Sequence, residues 1–299
     1  MKIAVLGAGI SGLGSAYLLS KKHQVDLYEK DNRFGGHART TQVEEDGKTF
    51  GVDTGFLVFN HETYPLLTKL FEKLDVKIEN SDMSFGFWDQ KNNMAYNGQS
   101  IGGLFFQKKN LFSLEHYLMI KNIVRFNRQA NIDLDTNELD LSLTLGEYLQ
   151  SYSEVFKQRY IIPMGAAIWS TPSNKMNEFP ALTFLRFFKN HGLLGVSTQH
   201  QWLTVSNGSI NYVNKILPKI SGNVIKNSNI ISVKRVNNKV YLTDRNGEIN
   251  IYDKVDLAMH APEALKILDD SSPKEQEILS AFSYKENNAV LHTDKNALY

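Results

Sequence analysis

The chain contains no cysteine. Disulfides and thiolate metal sites are therefore excluded, as is any cofactor tethered through a cysteine sulfur within these residues. That absence suits a reducing compartment, and a cytoplasmic location is the expectation. No stretch approaches the roughly 18–20 consecutive apolar residues of a membrane-spanning helix. The strongest candidate, residues 160–169, is short and interrupted by Pro163. An excess of one charge sign is missing as well. The formal net charge is +1, which exerts no general pull on nucleic acid, and the pairs Lys21-Lys22 and Lys108-Lys109 read as solvated surface. The histidines show no ligand spacing and no His-Glu-x-x-His, so no metal site is expected. Repeats and low-complexity segments are absent. What is present is 299 residues, 42% of them apolar, enough for a sizeable core and about two domains.

The informative positions are glycines. Gly7-Ala8-Gly9-Ile10-Ser11-Gly12 follows the apolar run Ile3-Ala4-Val5-Leu6 directly. Gly7 suits a tight turn out of a strand. Gly9 lets the main chain approach a pyrophosphate, and Gly12 lets the following helix pack close to a sheet, with Ala16 continuing that contact. The N-terminus of that helix would turn unpaired N–H groups and a partial positive charge toward phosphate. Leu13, Ala16 and Leu19 recur at a spacing suited to one buried helix face. Residues 24–29 then read as a short buried strand ending in Glu29.

An acid about twenty residues after the first glycine is placed to accept both hydroxyls of an adenosine ribose, and its charge would repel a 2′-phosphate, which argues against NADP. A solvated strand-end glutamate is the plainer alternative. A second glycine motif follows, Arg33-Phe34-Gly35-Gly36-His37-Ala38-Arg39-Thr40. A lone fingerprint indicates only a dinucleotide. Fingerprint, acid and glycine doublet in this order indicate FAD, and they disfavour a plain NAD dehydrogenase.

Two plainer readings compete at particular sites. Lys2 followed by an apolar stretch resembles a secretory signal, but the glycines at 7, 9, 12 and 14 make a poor apolar helix, and Lys21-Lys22-His23 stands where small residues should be. Asn207-Gly208-Ser209 matches a glycosylation pattern and reads better as a turn.

Further along, Thr49 to Phe56 is a strand entering a glycine turn. Tyr64 to Leu74 is an amphipathic helix with Leu67, Leu70, Phe71 and Leu74 on one face and Pro65 in its first turn. Residues from about 80 to 200 are rich in aromatics, among them Phe85, Phe105-Phe106, Tyr117, Phe126, Trp169 and Phe184. Most of these are expected to be ordinary core, with an apolar substrate pocket as the sharper reading. Strands return after 200: residues 223–225, 230–233, 240–243, 249–252 and 255–259. Asn246-Gly247 suits a type I′ hairpin turn, and Pro262-Glu263 opens a helix through Leu268.

The expected fold is α/β, a Rossmann-like FAD-binding domain formed by residues 1–78 and 203–281, with an inserted α+β substrate domain formed by 79–202 and 282–299.

These residues resemble the flavin-containing amine oxidase superfamily, which includes protoporphyrinogen oxidases and phytoene desaturases. Within it the chain is similar to bacterial NAD/FAD-binding oxidoreductases encoded beside cyclopropane-fatty-acyl-phospholipid synthases. The resemblance rests on Gly7–Gly12, Gly35-Gly36-His37, residues 52–56, Tyr64-Pro65, residues 83–85, residues 167–170, Asn207-Gly208-Ser209 and residues 289–294, which together span almost the whole chain. It implies Ile10 and Ser11 on the pyrophosphate and Glu29 with Lys30 at the ribose. Gly36 and His37 would stand beside the cofactor, His37 at a position often arginine in amine oxidases. Gly55, Phe56, Leu57 and Val58 would border the flavin, and Ile230 would meet adenine through its backbone.

Two departures stand out. The superfamily returns to its cofactor through a C-terminal segment whose motif is missing before Tyr299, so a fragment of a longer protein is expected. Many amine oxidases also hold a lysine near the flavin. Here Lys285 is nearby in sequence, but Asn287 fits the closer relatives better, and no catalytic residue is assigned. The expectation is an FAD-dependent oxidoreductase that takes a hydride from an apolar or amphipathic, lipid-like small molecule. The alternatives are an amine oxidase or carotenoid-type desaturase of the same fold, and a non-catalytic flavin-binding partner of a lipid-modifying methyltransferase.

Overall fold

Strand Lys2–Leu6 is buried along nearly its whole length because it has parallel neighbours on both sides. Continuous apolar runs of this kind belong to parallel sheets covered on both faces. The sheet runs in the order Lys254–Leu257, Lys2–Leu6, Gln24–Tyr28, Val224–Ile225, all parallel. Helix Ile10–Leu19 turns Gly12, Leu13 and Ala16 inward. The computed structural model describes residues 1–98, 100–136, 138–195, 200–284, 286 and 288–294. Lys285 and Asn287, the two positions weighed for the flavin lysine, lie outside the described residues.

The chain divides into two units. The first comprises Met1–Phe59, Pro65–Asn80 and Leu203–Leu291. Beside the parallel sheet it holds a three-stranded antiparallel sheet, Ile230–Val236, Lys239–Asp244 and Ile249–Tyr252, and a hairpin, Thr40–Glu45 with Lys48–Asp53. Helices Pro65–Lys73, Ile210–Ile216, Ala261–Ile267 and Pro273–Ser280 complete it.

Asp46-Gly47 and Asn237-Asn238 both take positive φ at their two central positions, as type I′ hairpin turns require. Asn246-Gly247, expected to do the same, does not. Gly247 alone has positive φ, and the Gly247 amide donates to the Asp244 carbonyl at 3.0 Å. The reason is Asp244. Its carboxylate accepts from the amides of Asn246 at 2.9 Å and Glu248 at 2.8 Å, which holds a wider turn with glycine at its left-handed position. Asn207 and Gly208 also have positive φ and Ser209 is fully buried, so this triplet is a tight turn. The Asp53 carboxylate accepts there from the Ser209 amide at 2.9 Å and its hydroxyl at 2.7 Å, and from Thr40 Oγ1 at 2.6 Å, tying the hairpin to the start of helix Ile210–Ile216.

The second unit comprises Asn60–Tyr64, Ser81–Trp202 and His292–Tyr299. Its core is aromatic: Phe126, Phe156, Phe184 and Phe188 are all essentially inaccessible. Helices Leu114–Thr136 and Ala181–Asn190 supply Phe126, Phe184 and Phe188, and helix Ile162–Trp169 packs partly buried side chains against them. The rings of Phe184 and Phe188 stack at 4.3 Å, a geometry that adds to simple area burial. Hairpin Gly86–Asp89 with Met94–Asn97 contributes Met94 and Tyr96 to a smaller cluster with Met119 of helix Leu114–Thr136. Not every aromatic conforms to the core expectation: Phe106 and Tyr117 are exposed.

Candidate functional site

The three glycines of the fingerprint sit in three different environments. Gly7 has φ +105°, and a Cβ there would lie 2.3 Å from the Ala258 carbonyl oxygen. A Cβ on Gly12 would lie 1.8 Å from the carbonyl oxygen of Gly7, so the helix can approach the turn only without a side chain. A Cβ on Gly9 would meet nothing within 4 Å. Gly9 precedes helix Ile10–Leu19, whose N-terminus has no side-chain cap and no acid in its first turn. Open space, free amides and the helix dipole thus coincide at one point, the arrangement that favours an anion.

The glycine doublet closes in from the side. Gly35 and Gly36 have φ +110° and +56°, and a Cβ on Gly36 would come within 3.0 Å of the Gly9 Cα. The Gly35 amide donates to the Ala8 carbonyl at 2.8 Å, and Arg33 Nη1 holds the Gly36 carbonyl at 2.7 Å. The second glycine motif is therefore built onto the first.

Both motifs open on a cavity of about 630 Å³. Its wall includes Gly7, Ala8 and Gly9, then Tyr28 to Asp31, Gly36 with His37, and Ser228 to Ile231. Of the residues singled out in the sequence, the cavity gathers Gly7, Gly9, Glu29, Lys30, Gly36, His37 and Ile230. The others lie elsewhere. Ile10 and Ser11 are exposed in the first helical turn, and Gly12 is packed beneath Gly7. Gly55 abuts the His37 carbonyl, Phe56 stacks on Phe59 at 6.0 Å, and the Leu57 carbonyl accepts from Thr204 at 2.8 Å, with Val58 half-buried next in the chain.

Glu29 is only 7% exposed. One carboxylate oxygen accepts from the Ala8 amide at 2.8 Å, and the other from the Asp31 amide at 3.0 Å. These bonds aim the group and leave further lone pairs for hydroxyl donors. Lys30 has a different engagement: its ammonium meets Glu263 at 2.7 Å, and that contact holds its pKa above the ordinary lysine value. Tyr28 is committed elsewhere too. Tyr252 donates to the buried Asp26 at 2.8 Å, so its oxygen accepts from Tyr28 at 2.6 Å. Burial raises the pKa of both phenols, so Tyr28 forms a neutral wall rather than a base.

The cavity also has a side that the sequence reading missed: Arg245, Met259, His260, Glu263, Lys266 and Ile267. The signal was available for part of it. Ligands of open α/β sheets bind beyond the carboxyl ends of the strands, and Met259 and His260 follow strand Lys254–Leu257, the neighbour of Lys2–Leu6. The His260 ring stacks at 4.0 Å on Tyr284. Among the described residues no group of three or more His, Cys, Asp or Glu could hold a metal, and no helix is long and apolar enough to cross a membrane.

Comparison with known proteins places this geometry. Residues 5–74 match the family model of an NAD(P)-binding Rossmann-like domain. A 4,4′-diapophytoene desaturase of Staphylococcus aureus is 34% identical over 96 residues, 27% of this chain and 19% of the desaturase. Putrescine oxidase bound to putrescine has the same fold, with a TM-score of 0.66 at 17% identity, over 94% of this chain and 63% of that one. A fatty acid isomerase from P. acnes, which produces CLA, is similar in fold at a TM-score of 0.59 and 13% identity, over 93% and 63% of the two chains. The chain thus spans about a fifth of the desaturase and under two thirds of these solved structures. The α/β fold with a Rossmann-like dinucleotide domain is established by these matches.

Proposed function

We propose that this chain binds FAD and that the protein is an FAD-dependent oxidoreductase acting on an apolar or amphipathic small molecule. The observation that carries this reading is the convergence of Gly9, the Glu29 carboxylate and Gly36 on one cavity, with a Gly9 that leaves room where a side chain would stand. The residues fit the group. Gly7, Gly9, Ile10, Ser11 and Gly12 supply the turn and helix start for the pyrophosphate. Glu29 accepts from the ribose hydroxyls, while Lys30, held by Glu263, edges the ribose end. Gly36 and His37 flank the pyrophosphate, Ile230 offers backbone to adenine, and Gly55, Phe56, Leu57 and Val58 border the flavin ring. When bound, the flavin supplies hydride acceptance, followed by reoxidation by dioxygen or another acceptor. The chain's own contribution is to bind, orient and exclude water, and no residue is assigned as acid or base.

A carotenoid-type desaturase is the second reading, favoured by the 34% identity to the diapophytoene desaturase over 96 residues. A role beside cyclopropane-fatty-acyl-phospholipid synthase, as oxidoreductase or as non-catalytic partner of that methyltransferase, rests on the sequence resemblance alone.

The test is the absorption spectrum of the purified protein, then release of the chromophore on denaturation. FAD in the supernatant is the expected result. A colourless protein that binds NADH tightly and ignores added FAD would overturn the reading. Bleaching of the flavin by a candidate substrate under anaerobic conditions separates an enzyme from a silent partner.

A further inference from the structure

One segment of the second unit is built inside out. Between residues 106 and 118 the polar side chains Gln107 and Asn110 are buried, at 8% and 2% exposure. Phe112 and Leu114 stand 89% and 86% exposed. The usual preference is the reverse. The inversion is held in place by specific bonds. Gln107 accepts from the Ala95 amide at 2.9 Å and donates to the Asn93 carbonyl at 3.2 Å. Asn110 donates to the Ala95 carbonyl at 3.0 Å, and Lys109 reaches the Asn93 carbonyl. The two amides fasten the short helical turn Lys108–Phe112 to strand Met94–Asn97, and the apolar residues are left facing outward.

The helix that follows continues the surface. Leu114–Thr136 buries His116, Met119 and Asn122 on its inner face. The opposite face of its first turns presents Leu114, Tyr117 and Leu118, positions that meet at spacings of three and four, where a water-facing helix would carry polar residues. The Tyr117 hydroxyl donates to the Leu111 carbonyl at 3.1 Å, which joins helix and turn into one surface. Within the same stretch stand Lys108 and Lys121, both exposed, and its one acid, Glu115, is paired with Arg159 at 2.9 Å.

From this geometry we propose that residues 108–121 form a docking surface for an anionic lipid membrane. Phe112, Leu114 and Leu118 enter the headgroup–acyl boundary, and Lys108 and Lys121 meet the lipid phosphates. The charge selects this occupant: an exposed aromatic and aliphatic face carrying lysines, with no unpaired acid within residues 108–121, complements a negatively charged bilayer. Lysine stems also extend over apolar surface while their ammonium groups stay in the phosphate layer. The surface lies in the second unit and does not depend on the identity of the cofactor.

The test is co-sedimentation of the protein with vesicles of phosphatidylcholine alone and of phosphatidylcholine with phosphatidylglycerol at about 3:1, in low salt and in about 0.5 M salt. Binding to the mixed vesicles, weakened by salt, is expected. Phe112→Ser with Leu114→Ser should weaken it at least tenfold, from loss of buried apolar surface at about 25 cal/mol per Å². Lys108→Gln with Lys121→Gln should weaken it about thirtyfold, roughly fivefold per charge. Circular dichroism and the thermal midpoint verify that both variants fold. No binding to mixed vesicles in low salt overturns the proposal, as does binding that the Phe112/Leu114 variant retains in full. A wild-type dimer in light scattering that becomes a monomer in that variant, without vesicle binding, would show the surface to be an interface between copies of the chain.

Discussion

The two units put glycine and phenylalanine to opposite uses. In the first, glycines let main chain approach main chain. Among the described residues, Gly192 is the lone glycine with positive φ in the second unit, whereas Gly7, Gly35, Gly36, Gly47, Gly208 and Gly247 all belong to the first. In the second, shape comes from side chains, with rings around Phe126 at centroid distances from 5.6 Å to Phe156 to 6.4 Å to Phe188. A site made of backbone needs a particular residue at a particular position, because a Cβ either fits or collides. A core made of rings needs total volume and apolarity, which many sequences satisfy. The first kind of construction is therefore written in the sequence position by position. The second is written only as composition.

The largest effect should come from attacking the ring core. Phe126 is fully buried, and Phe126→Ala should destabilise its unit by about 3–5 kcal/mol. The measurement is convenient because Trp88, Trp169 and Trp202 all lie in the second unit, so tryptophan fluorescence in urea follows that unit. The fluorescence midpoint should fall while dinucleotide affinity in native buffer stays unchanged. If affinity falls in step with it, the units do not act separately and the comparison fails.

The matching attack on the first unit is Gly12→Ala. With the new Cβ placed 1.8 Å from a carbonyl oxygen, the helix must move off the turn. The loss should be about 3 kcal/mol, at the upper end of ordinary overpacking. Gly9→Ala is the control: its Cβ meets open space, so stability should stay within about 0.5 kcal/mol while dinucleotide binding weakens. Equal destabilisation by the two substitutions would mean that the glycines share one structural role.

The same contrast explains what could be read before the structure was known. Strand, turn, helix and strand at residues 2–28 follow from the pattern because each glycine answers a local steric demand. The turn at Asn246-Gly247 misled because the deciding group was Asp244, whose carboxylate captures two amides, and side-chain capture of this kind has no periodicity. The ion pair of Lys30 with Glu263 is not legible in the sequence, because the two residues lie more than two hundred positions apart. The Asp26–Tyr252–Tyr28 chain was likewise out of reach, since it depends on strand order. Composition likewise does not tell an outward ring such as Phe112 from an inward one such as Phe126.

A smaller effect sharpens the functional half of the comparison. Glu29 accepts from the Ala8 and Asp31 amides, so Glu29→Ala removes a charged acceptor from the cavity wall. Charge-assisted hydrogen bonds of about 1.5–3 kcal/mol each translate into a weakening of FAD binding by about tenfold or more. Titration of apoprotein with FAD reads it directly. Unchanged affinity would reduce Glu29 to a strand end that organises its own loop.

The smallest effect tests whether the second unit, built by packing, carries its own electrostatic constraint. His116 is buried at 2% exposure, in ring contact with Tyr96 and Phe105, and its Nε2 has no hydrogen-bond partner. Burial pushes its pKa below the ordinary histidine value, a hydrogen bond with the Leu104 carbonyl opposes that shift, and Arg159 adds to it. The sign follows from linkage. As pH falls below about 6.5, the unfolded chain takes up a proton that the folded chain refuses, so stability drops toward the lowered folded-state pKa. One proton cannot contribute a slope greater than about 1.4 kcal/mol per pH unit. Unfolding in urea at pH 7.5 and 5.5, followed by tryptophan fluorescence, should show this loss in the wild type and a shallower one in His116→Phe, whose ring occupies the same apolar setting without titrating. The slope is the quantity to compare, since the substitution also removes the Leu104 bond and shifts the absolute stability. Identical slopes in the two proteins would mean that His116 takes up its proton without opening the fold, and that the second unit is governed by packing alone.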